Sequence, residues 1–159
     1  MRFAVALLLA LALPVHAQEA PDWFAETMLD ARDEAADAAK QGKRLMVYFW
    51  LEGCPYCERM TRETFRDPAV LERLKRGFVP VGVNVRGDRD IGWTDGATLS
   101  EKRLTAALNV RATPTMLFLD PRGAVVLRLT GYMDAAEFLR ALEPLSTAPT
   151  AGLRSASPK

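Results

Sequence analysis

The sequence predicts an α/β domain in which a central mixed β-sheet carries helices on both faces. Two observations lead to this prediction. Apolar, β-prone runs alternate with amphipathic helical stretches, which is the pattern of a sheet covered by helices. The last two β-prone runs, 115–119 and 124–129, are joined by the turn sequence Asp-Pro-Arg-Gly, which predicts an antiparallel hairpin at one edge of the sheet.

The individual elements follow from local patterns. Residues 22–40 place Phe24, Met28, Ala31, Ala35 and Ala38 on one face of a predicted helix. Residues 44–51 are apolar on both faces, which predicts a buried central strand. The other predicted elements are a helix over 55–65 with a second piece over 69–75, a strand over 78–85, a helix over 100–109 capped by Ser100, and a last helix over 134–142.

Residues 86–100 are polar and rich in Gly and Asp, and the pattern predicts a loop. A loop of this length is uncommon in a compact domain, so we expect it to have a function, such as the choice of a partner. Two interpretations of Trp93 are open, because an indole in such a loop either anchors the loop or contacts a partner.

The first residues indicate export. A positive start at Met1-Arg2 precedes an unbroken apolar run over 3–13, and Ala17 is the small residue before a cleavage site. This order is typical of a secretory signal peptide, and the run is too short for a membrane span. We therefore expect a cleaved signal peptide at 1–17 and a periplasmic location, with an uncleaved anchor as the alternative.

Composition fits one ordinary domain after that segment. We expect the folded domain over 18–145 and a flexible tail over 146–159, with fraying from Glu143 onward. Lys and Arg number 21 against 20 Asp and Glu, and this near balance argues against nucleic acid as a partner. The single histidine, His16, lies in the predicted signal peptide, so the domain has no Cys-His nucleophile pair and no His-bearing metal site.

Both cysteines of the chain stand in the motif Cys54-Pro55-Tyr56-Cys57, directly after the predicted buried strand. Proline suits the first turn of a helix, so Cys54 is predicted at a helix N-terminus. Unpaired N–H groups and the helix dipole stabilise a thiolate there and lower its pKa. Cys57 lies one turn further on, within reach of a mixed disulfide, so we predict Cys54 as the nucleophile and Cys57 as the resolving thiol.

Two other uses of the cysteine pair are less favoured. A structural disulfide that closes so short a loop would stabilise the fold only weakly. A metal site would need further ligands that the chain lacks. The motif therefore predicts thiol–disulfide exchange, with neither a metal nor another cofactor.

A second motif points the same way. Ala112-Thr113-Pro114-Thr115 lies just before a predicted strand, where proline is poorly tolerated. With the C-x-x-C at a strand–helix junction and Gly131 after the hairpin, the chain resembles the thioredoxin superfamily over nearly all of its length after the signal. The resemblance implies a thioredoxin fold, a cis-Pro114 beside the active disulfide, and a Thr113 backbone that binds the substrate chain.

Within the superfamily, the stretches GCPYCERM, FVPVGVNVRGDRDI and VRATPTMLFLD are most similar to SoxW-type periplasmic thioredoxin-related proteins. This similarity implies reduction of disulfides in periplasmic client proteins, with electrons from a membrane donor of the DsbD/CcdA type. A disulfide donor, or a dedicated shuttle to one partner in sulfur oxidation or cytochrome maturation, is the alternative. A non-catalytic binding module with a structural disulfide is a further one. We expect a monomer.

The chain also departs from the family pattern. Gly53 stands before the motif, where thioredoxin has tryptophan, and the Pro-Tyr dipeptide is that of glutaredoxins. The buried aspartate of the family aligns with Tyr48, which leaves the proton acceptor for Cys57 open. Glu58 and water are the two candidates.

Overall fold

A computed structural model describes residues 21, 23, 24 and 30–147 of the chain. The predicted signal peptide at 1–17 lies outside the described residues, as do Met28 and residues 148–159 of the predicted tail. The elements in chain order are α1 (Ala31–Lys40), β1 (Arg44–Trp50), α2 (Pro55–Arg62), a 3₁₀ turn (Thr64–Arg66), α3 (Pro68–Gly77), β2 (Phe78–Asn84), β3 (Asp90–Gly92), β4 (Thr98–Ser100), α4 (Glu101–Ala107), β5 (Thr115–Leu119), β6 (Val125–Thr130), α5 (Ala135–Ala141) and α6 (Pro144–Thr147).

The central sheet has four strands in the order β2-β1-β5-β6. The β1 and β2 strands are parallel, whereas β5 runs antiparallel to both β1 and β6. Successive residues of β1 point to opposite faces, so Met46 and Tyr48 enter one core cluster while Val47 and Phe49 enter the other. One cluster contains residues of α3 and α5, and the other contains residues of α1 and α4. The predicted α/β fold, a mixed sheet between helices, is confirmed.

The first predicted helix is wrong at Trp23, Phe24 and Asp30, its described residues before α1, because none of them is helical. The α1 helix begins at Ala31, because the carboxylate of Asp30 accepts hydrogen bonds from two backbone N–H groups of the first turn. Phe24 is buried on the other face of the sheet, where its ring packs edge-on against Tyr48. The single apolar face that the periodicity predicts is therefore divided between the two cores.

The predicted loop at 86–100 is also wrong, because it contains the two-stranded antiparallel hairpin β3–β4. Ile91 is fully buried, and Trp93 is only 7% exposed, both in the cluster that contains α1 and α4. Of the two interpretations of Trp93, the structure therefore supports the anchor.

A buried carboxylate attaches this hairpin to the domain. The Glu101 side chain is 2% exposed, and its Oε1 accepts hydrogen bonds from the Arg89 guanidinium at 2.6 Å and the Asn84 backbone N–H at 2.9 Å. A Cβ atom on Gly87 would clash with the other oxygen of this carboxylate, so any larger residue there would have to displace the Glu101 side chain. Ser100 precedes α4 in the cap position, but it lacks the predicted side-chain capping bond.

The tip of the hairpin lies at the end of the sheet opposite Cys54. A Cβ atom on Gly123 would lie 2.4 Å from the methyl carbon of Thr94, so the tip packs on the β5–β6 turn. That turn follows the C-terminal end of β5, whereas the N-terminal end of β5 adjoins Pro114 and the C-terminal end of β1.

The remaining predicted boundaries agree with the structure to within a few residues. The β5 strand matches the prediction, and α5 begins with a capping box between Asp134 and Glu137. The predicted fraying from Glu143 onward is wrong at its start, because residues 144–147 form α6. Within the described part of the chain, none of the helices has the length and hydropathy needed to cross a bilayer.

Candidate active site

The junction between β1 and α2 places the two cysteines. Gly53 has a φ of +69°, a left-handed conformation that glycine adopts without strain, and it turns the chain from the strand into the helix. Cys54 is the N-cap residue of α2, and Pro55 occupies the first turn. The Cys54 Sγ accepts a hydrogen bond from the backbone N–H of Cys57 at 3.2 Å, so the sulfur itself caps the helix.

The loop before β5 brings the second sequence motif onto the first cysteine. The peptide bond between Thr113 and Pro114 is cis, and Pro114 is buried. The Thr113 hydroxyl lies 3.3 Å from the Cys54 Sγ, and the Cys54 thiol lies 3.6 Å from the Thr113 carbonyl oxygen. The structure therefore brings four predicted site residues together, namely Cys54, Cys57, Thr113 and Pro114.

Cys54 is 8% exposed, and both cysteines are free. Burial acts to raise the pKa of Cys54, but hydrogen bonds outweigh it and the net pKa is lowered. These hydrogen bonds come from the Cys57 thiol, the Thr113 hydroxyl and the backbone N–H groups of Cys57 and Tyr56. The first cysteine therefore lies in surroundings that favour its thiolate.

The Cys57 thiol has the opposite character. Cys57 is 5% exposed as a residue, and burial raises the pKa of its thiol to about 11, helped by the hydrogen bond with Cys54. Hydrogen bonds from the Leu51 backbone and the Thr113 hydroxyl act in the other direction but do not cancel the burial. The surroundings therefore shift the pKa values of the two thiols in opposite directions. They favour the thiolate at Cys54 and the protonated thiol at Cys57.

Sequence reasoning did not assign a role to the Tyr48 hydroxyl. Tyr48 is 1% exposed, and its hydroxyl lies 3.5 Å from the backbone carbonyl oxygen of Cys57. Burial raises the pKa of Tyr48, and the negative charge of an ionised Cys57 raises it further. The available signal was a tyrosine in a strand predicted to be buried, because a buried tyrosine usually needs a partner for its hydroxyl.

Glu58, a predicted proton acceptor, directs its carboxylate towards Arg62 at 3.4 Å, one helical turn further along α2. It is absent from the groups that most affect the pKa of Cys57. Tyr56, the second middle residue of the motif, is 61% exposed.

A cluster of side chains outside the thiol pair ties α2 to the segment after β6. The Arg59 guanidinium lies 4.1 Å from the centre of the Tyr132 ring, and the Tyr132 hydroxyl donates to Glu63 at 2.8 Å. The buried Thr64 hydroxyl donates to the Met133 carbonyl oxygen. These contacts fix the helix that carries both cysteines against the body of the domain.

Among the described residues, no three Cys, His, Asp or Glu side chains come close enough together to hold a metal ion. The site is therefore described by its two sulfur atoms, two hydroxyl groups and the backbone of the Thr113–Pro114 loop.

Residues 31–146 match the sequence profile of the thioredoxin-like domain family. The chain belongs to this family. Among its sequence relatives, the thiol:disulfide interchange protein DsbD of Tatumella citrea is 32% identical over 121 residues, 75% of this chain and 19% of the relative. DsbD of Vibrio vulnificus strain YJ016 is 30% identical over 162 residues, 90% of this chain and 25% of the relative. The chain thus spans only about a fifth to a quarter of these DsbD proteins.

Solved structures share the fold. A thioredoxin from Thermus thermophilus superposes with a TM-score of 0.59 at 33% identity, covering 76% of this chain and 86% of that one. The DsbD C-terminal domain of Neisseria meningitidis superposes with a TM-score of 0.52 at 19% identity, covering 74% of this chain and 98% of that one. The predicted thioredoxin superfamily is confirmed, and the closer similarity to SoxW-type proteins stays a prediction.

Proposed function

We propose that the chain is a thiol–disulfide oxidoreductase in which Cys54 is the nucleophile and Cys57 the resolving thiol. The observation that carries the proposal is the opposite tuning of the two thiols within one motif. The pKa of Cys54, the thiol that caps α2, is lowered, whereas the pKa of the buried Cys57 is raised. Of such a pair, the sulfur with the lowered pKa ionises more readily and attacks first, and the other stays protonated until the mixed disulfide has formed.

The exchange proceeds in two balanced steps. The Cys54 thiolate attacks a client disulfide, forms a mixed disulfide, and releases one client sulfur as a thiolate that takes up a proton. Cys57 then loses its proton and attacks the Cys54 Sγ, which closes the Cys54–Cys57 disulfide and releases the second client sulfur. Two electrons pass to the client, and a donor must then reduce the disulfide again.

Thr113 and Pro114 are the proposed binding residues for the client chain. The Thr113 backbone lies beside the Cys54 sulfur, so an extended client segment that pairs with this backbone brings its disulfide to the nucleophile. Tyr56 adds an exposed aromatic surface next to the same sulfur.

The proposed direction is the reduction of disulfides in periplasmic clients, with a membrane donor of the DsbD/CcdA type. The predicted signal peptide and the thiol:disulfide interchange proteins among the relatives support this setting. One observation favours the opposite direction. The groups around Cys54 stabilise its thiolate, which belongs to the reduced form, and stabilising the reduced form makes a protein a better disulfide donor.

The reduction potential of the Cys54–Cys57 pair, measured in a glutathione buffer, decides the direction. A value near that of thioredoxin, about −270 mV, supports the reductase. A value near that of DsbA, about −120 mV, would show instead that the protein donates disulfides to its clients.

Cysteine variants test the chemistry itself. Cys54→Ser should abolish the reduction of insulin disulfides by dithiothreitol-regenerated protein. Cys57→Ser should still attack but should accumulate the mixed disulfide, visible as a mass increase that dithiothreitol removes. Insulin reduction that is no faster with the parent protein than with dithiothreitol alone would show that the domain is a binding module rather than an enzyme of this type.

A further inference from the structure

A cleft of about 480 Å³ opens beside β2, an edge strand of the sheet. Clefts of this size are typical of sites for small organic molecules. The apolar residues that line it are Trp23, Phe24, Phe78, Val79 and Pro80. The apolar surface of a ligand would therefore be removed from water against these walls.

The aromatic walls of the cleft are held in place from behind. The Phe24 ring packs edge-on against Tyr48, with 5.6 Å between ring centres, and the Trp23 ring packs edge-on against Phe24 at 4.7 Å. The Phe78 ring packs edge-on against Phe118 at 5.1 Å. Binding therefore does not have to order these three side chains, which lowers its entropic cost.

The polar part of the lining is cationic. Lys43 and Lys75 contribute to it together with the neutral Gln41, and none of the described lining residues is an Asp or Glu. In the part of the chain that the structure describes, neither lysine side chain forms a hydrogen bond or an ion pair. Two cations without a carboxylate partner attract an anion to the cleft.

The acidic residues of the adjoining helical turns have other partners. Asp37, in the last turn of α1, and Glu72, on α3, each form an ion pair with a cation of the same helix. The Arg73 guanidinium lies 5.2 Å from the centre of the Phe78 ring, so a further positive charge borders the same wall. The charge of the cleft therefore has to be balanced by a bound anion or by ions from solution.

The strand beside the cleft argues against an extended peptide as the ligand. Pro80 has no backbone N–H, and a proline on an edge strand hinders the addition of another strand. A small molecule, which needs no backbone pairing, fits this edge better.

The cleft and the thiols lie at opposite ends of β1. Lys43 directly precedes this strand, and Cys54 follows its C-terminal end. Seven strand residues span about 20 Å. A molecule in the cleft therefore leaves the Cys54 sulfur accessible to a client.

We propose that this cleft binds a small organic anion, a molecule with an aromatic or aliphatic body and one carboxylate or sulfonate group. The body packs on Trp23, Phe24 and Phe78, and the anionic group pairs with Lys43 and Lys75. The inference goes beyond the proposed function, because it involves neither cysteine.

Anilinonaphthalene sulfonate, an aromatic anion that fluoresces when it leaves water, is the probe. We expect saturable binding to the folded parent protein, and Lys43→Gln/Lys75→Gln should raise the dissociation constant about tenfold. The neutral phenylnaphthylamine should bind both proteins equally to within about twofold, because it keeps only the apolar contacts. Arg62→Gln/Lys102→Gln is the matched control, since it removes the same charge from ion pairs outside the cleft.

Two further measurements identify the site and the kind of ligand. The probe should shift the amide resonances of Lys75, Phe78 and Val79 and leave those of Cys54 and Cys57 in place. Decanoate should displace the probe, whereas decanol, which has the same chain without the charge, should need about tenfold higher concentration.

The absence of saturable probe binding to the parent protein would overturn the proposal. Equal affinities of the parent and Lys43→Gln/Lys75→Gln for the sulfonate would do the same. Lysine-dependent binding to phosphatidylglycerol vesicles, without displacement of the probe by decanoate, would assign this face to a membrane surface instead. Near-UV circular dichroism checks that each variant is folded, because partly folded states also bind this dye.

Discussion

The Thr113 hydroxyl acts on both sulfur atoms of the site. It lies 3.3 Å from the Cys54 Sγ, and its hydrogen bonding lowers the pKa of both cysteines. A hydroxyl that donates to a thiolate favours the charged form. A side chain from the loop before β5 therefore lowers the pKa of both cysteines at the start of α2.

Removing this donor should slow the first attack. In Thr113→Val we expect the pKa of Cys54 to rise and its alkylation by iodoacetamide at pH 7 to fall several-fold. Thr105→Val is the matched control, because it removes a buried hydroxyl that bonds to the Glu101 carbonyl oxygen on α4. Equal alkylation rates in the parent and Thr113→Val would contradict the assigned role.

The raised pKa of Cys57 predicts a loss of stability in alkali. Folding raises this pKa from an ordinary value of 9.0 to about 11, so the folded state favours the protonated thiol. The stabilisation is complete below pH 9 and is lost as the pH rises towards 11, on the order of 2 kcal/mol in all. Urea unfolding of the reduced protein should therefore show a steeper decline over this range than unfolding of Cys57→Ser. Parallel declines would refute the assignment.

For individual residues, the sequence predicts where the cysteine motif lies but not which side chains surround it. The two-residue spacing and Pro55 predict Cys54 at a helix N-terminus, because both are local signals. The hydroxyl of Tyr48 and the direction of Glu58 depend on side chains from other segments, so no local pattern contains them.

Among the elements, the β3–β4 hairpin shows where local patterns fail. Each strand has three residues, and Gly92 and Gly96 weaken any β-prone pattern. Glu101, which follows the hairpin, instead forms an ion pair with Arg89, which directly precedes it, so the contact at the base of the hairpin comes from residues outside both strands. The late start of the first helix was missed for a similar reason. Asp30 is a good N-cap residue, but it lies within a longer amphipathic pattern that predicts an earlier start.

Truncating this carboxylate should destabilise the hairpin. Glu101→Ala leaves the Asn84 N–H without its acceptor and removes the carboxylate partner of Arg89, which keeps only the Gly82 carbonyl oxygen at 3.2 Å, and we expect a loss of about 2 kcal/mol in urea unfolding. Asp88→Ala is the control, because Asp88 pairs with Lys102 on the exposed surface of the same hairpin and should cost less than about 0.5 kcal/mol. Similar losses in both variants would show that the buried carboxylate has no special role.

Across the whole molecule, the thiol pair and the hairpin tip occupy opposite ends of the sheet. The Thr94 methyl group packs on the turn at Gly123, whereas Cys54 lies at the end where β5 begins. Deleting residues 88–96 would remove the buried Ile91 and Trp93, so it would test stability rather than partner choice.

Trp93→Ala should accordingly affect folding and leave the thiol chemistry intact. We expect the free energy of unfolding to fall by about 3 kcal/mol, because a large buried side chain leaves a cavity. Iodoacetamide should alkylate Cys54 in the folded variant at the parent rate. Val126→Ala, at a residue 44% exposed, is the control and should cost far less. A slower alkylation of Cys54 would show that the packing of Trp93 affects the thiol site at the opposite end of the sheet.

The dependence of Cys57 on Cys54 has a consequence for the order of events. Burial does most to raise the pKa of Cys57, but the hydrogen bond with Cys54 and the negative charge of that thiolate raise it further. Both contributions of Cys54 disappear once its sulfur is bonded to a client. In the proposed mechanism, the Cys57 thiol would therefore ionise more readily once Cys54 is bonded to a client than before, which favours attack by Cys54 first and by Cys57 second.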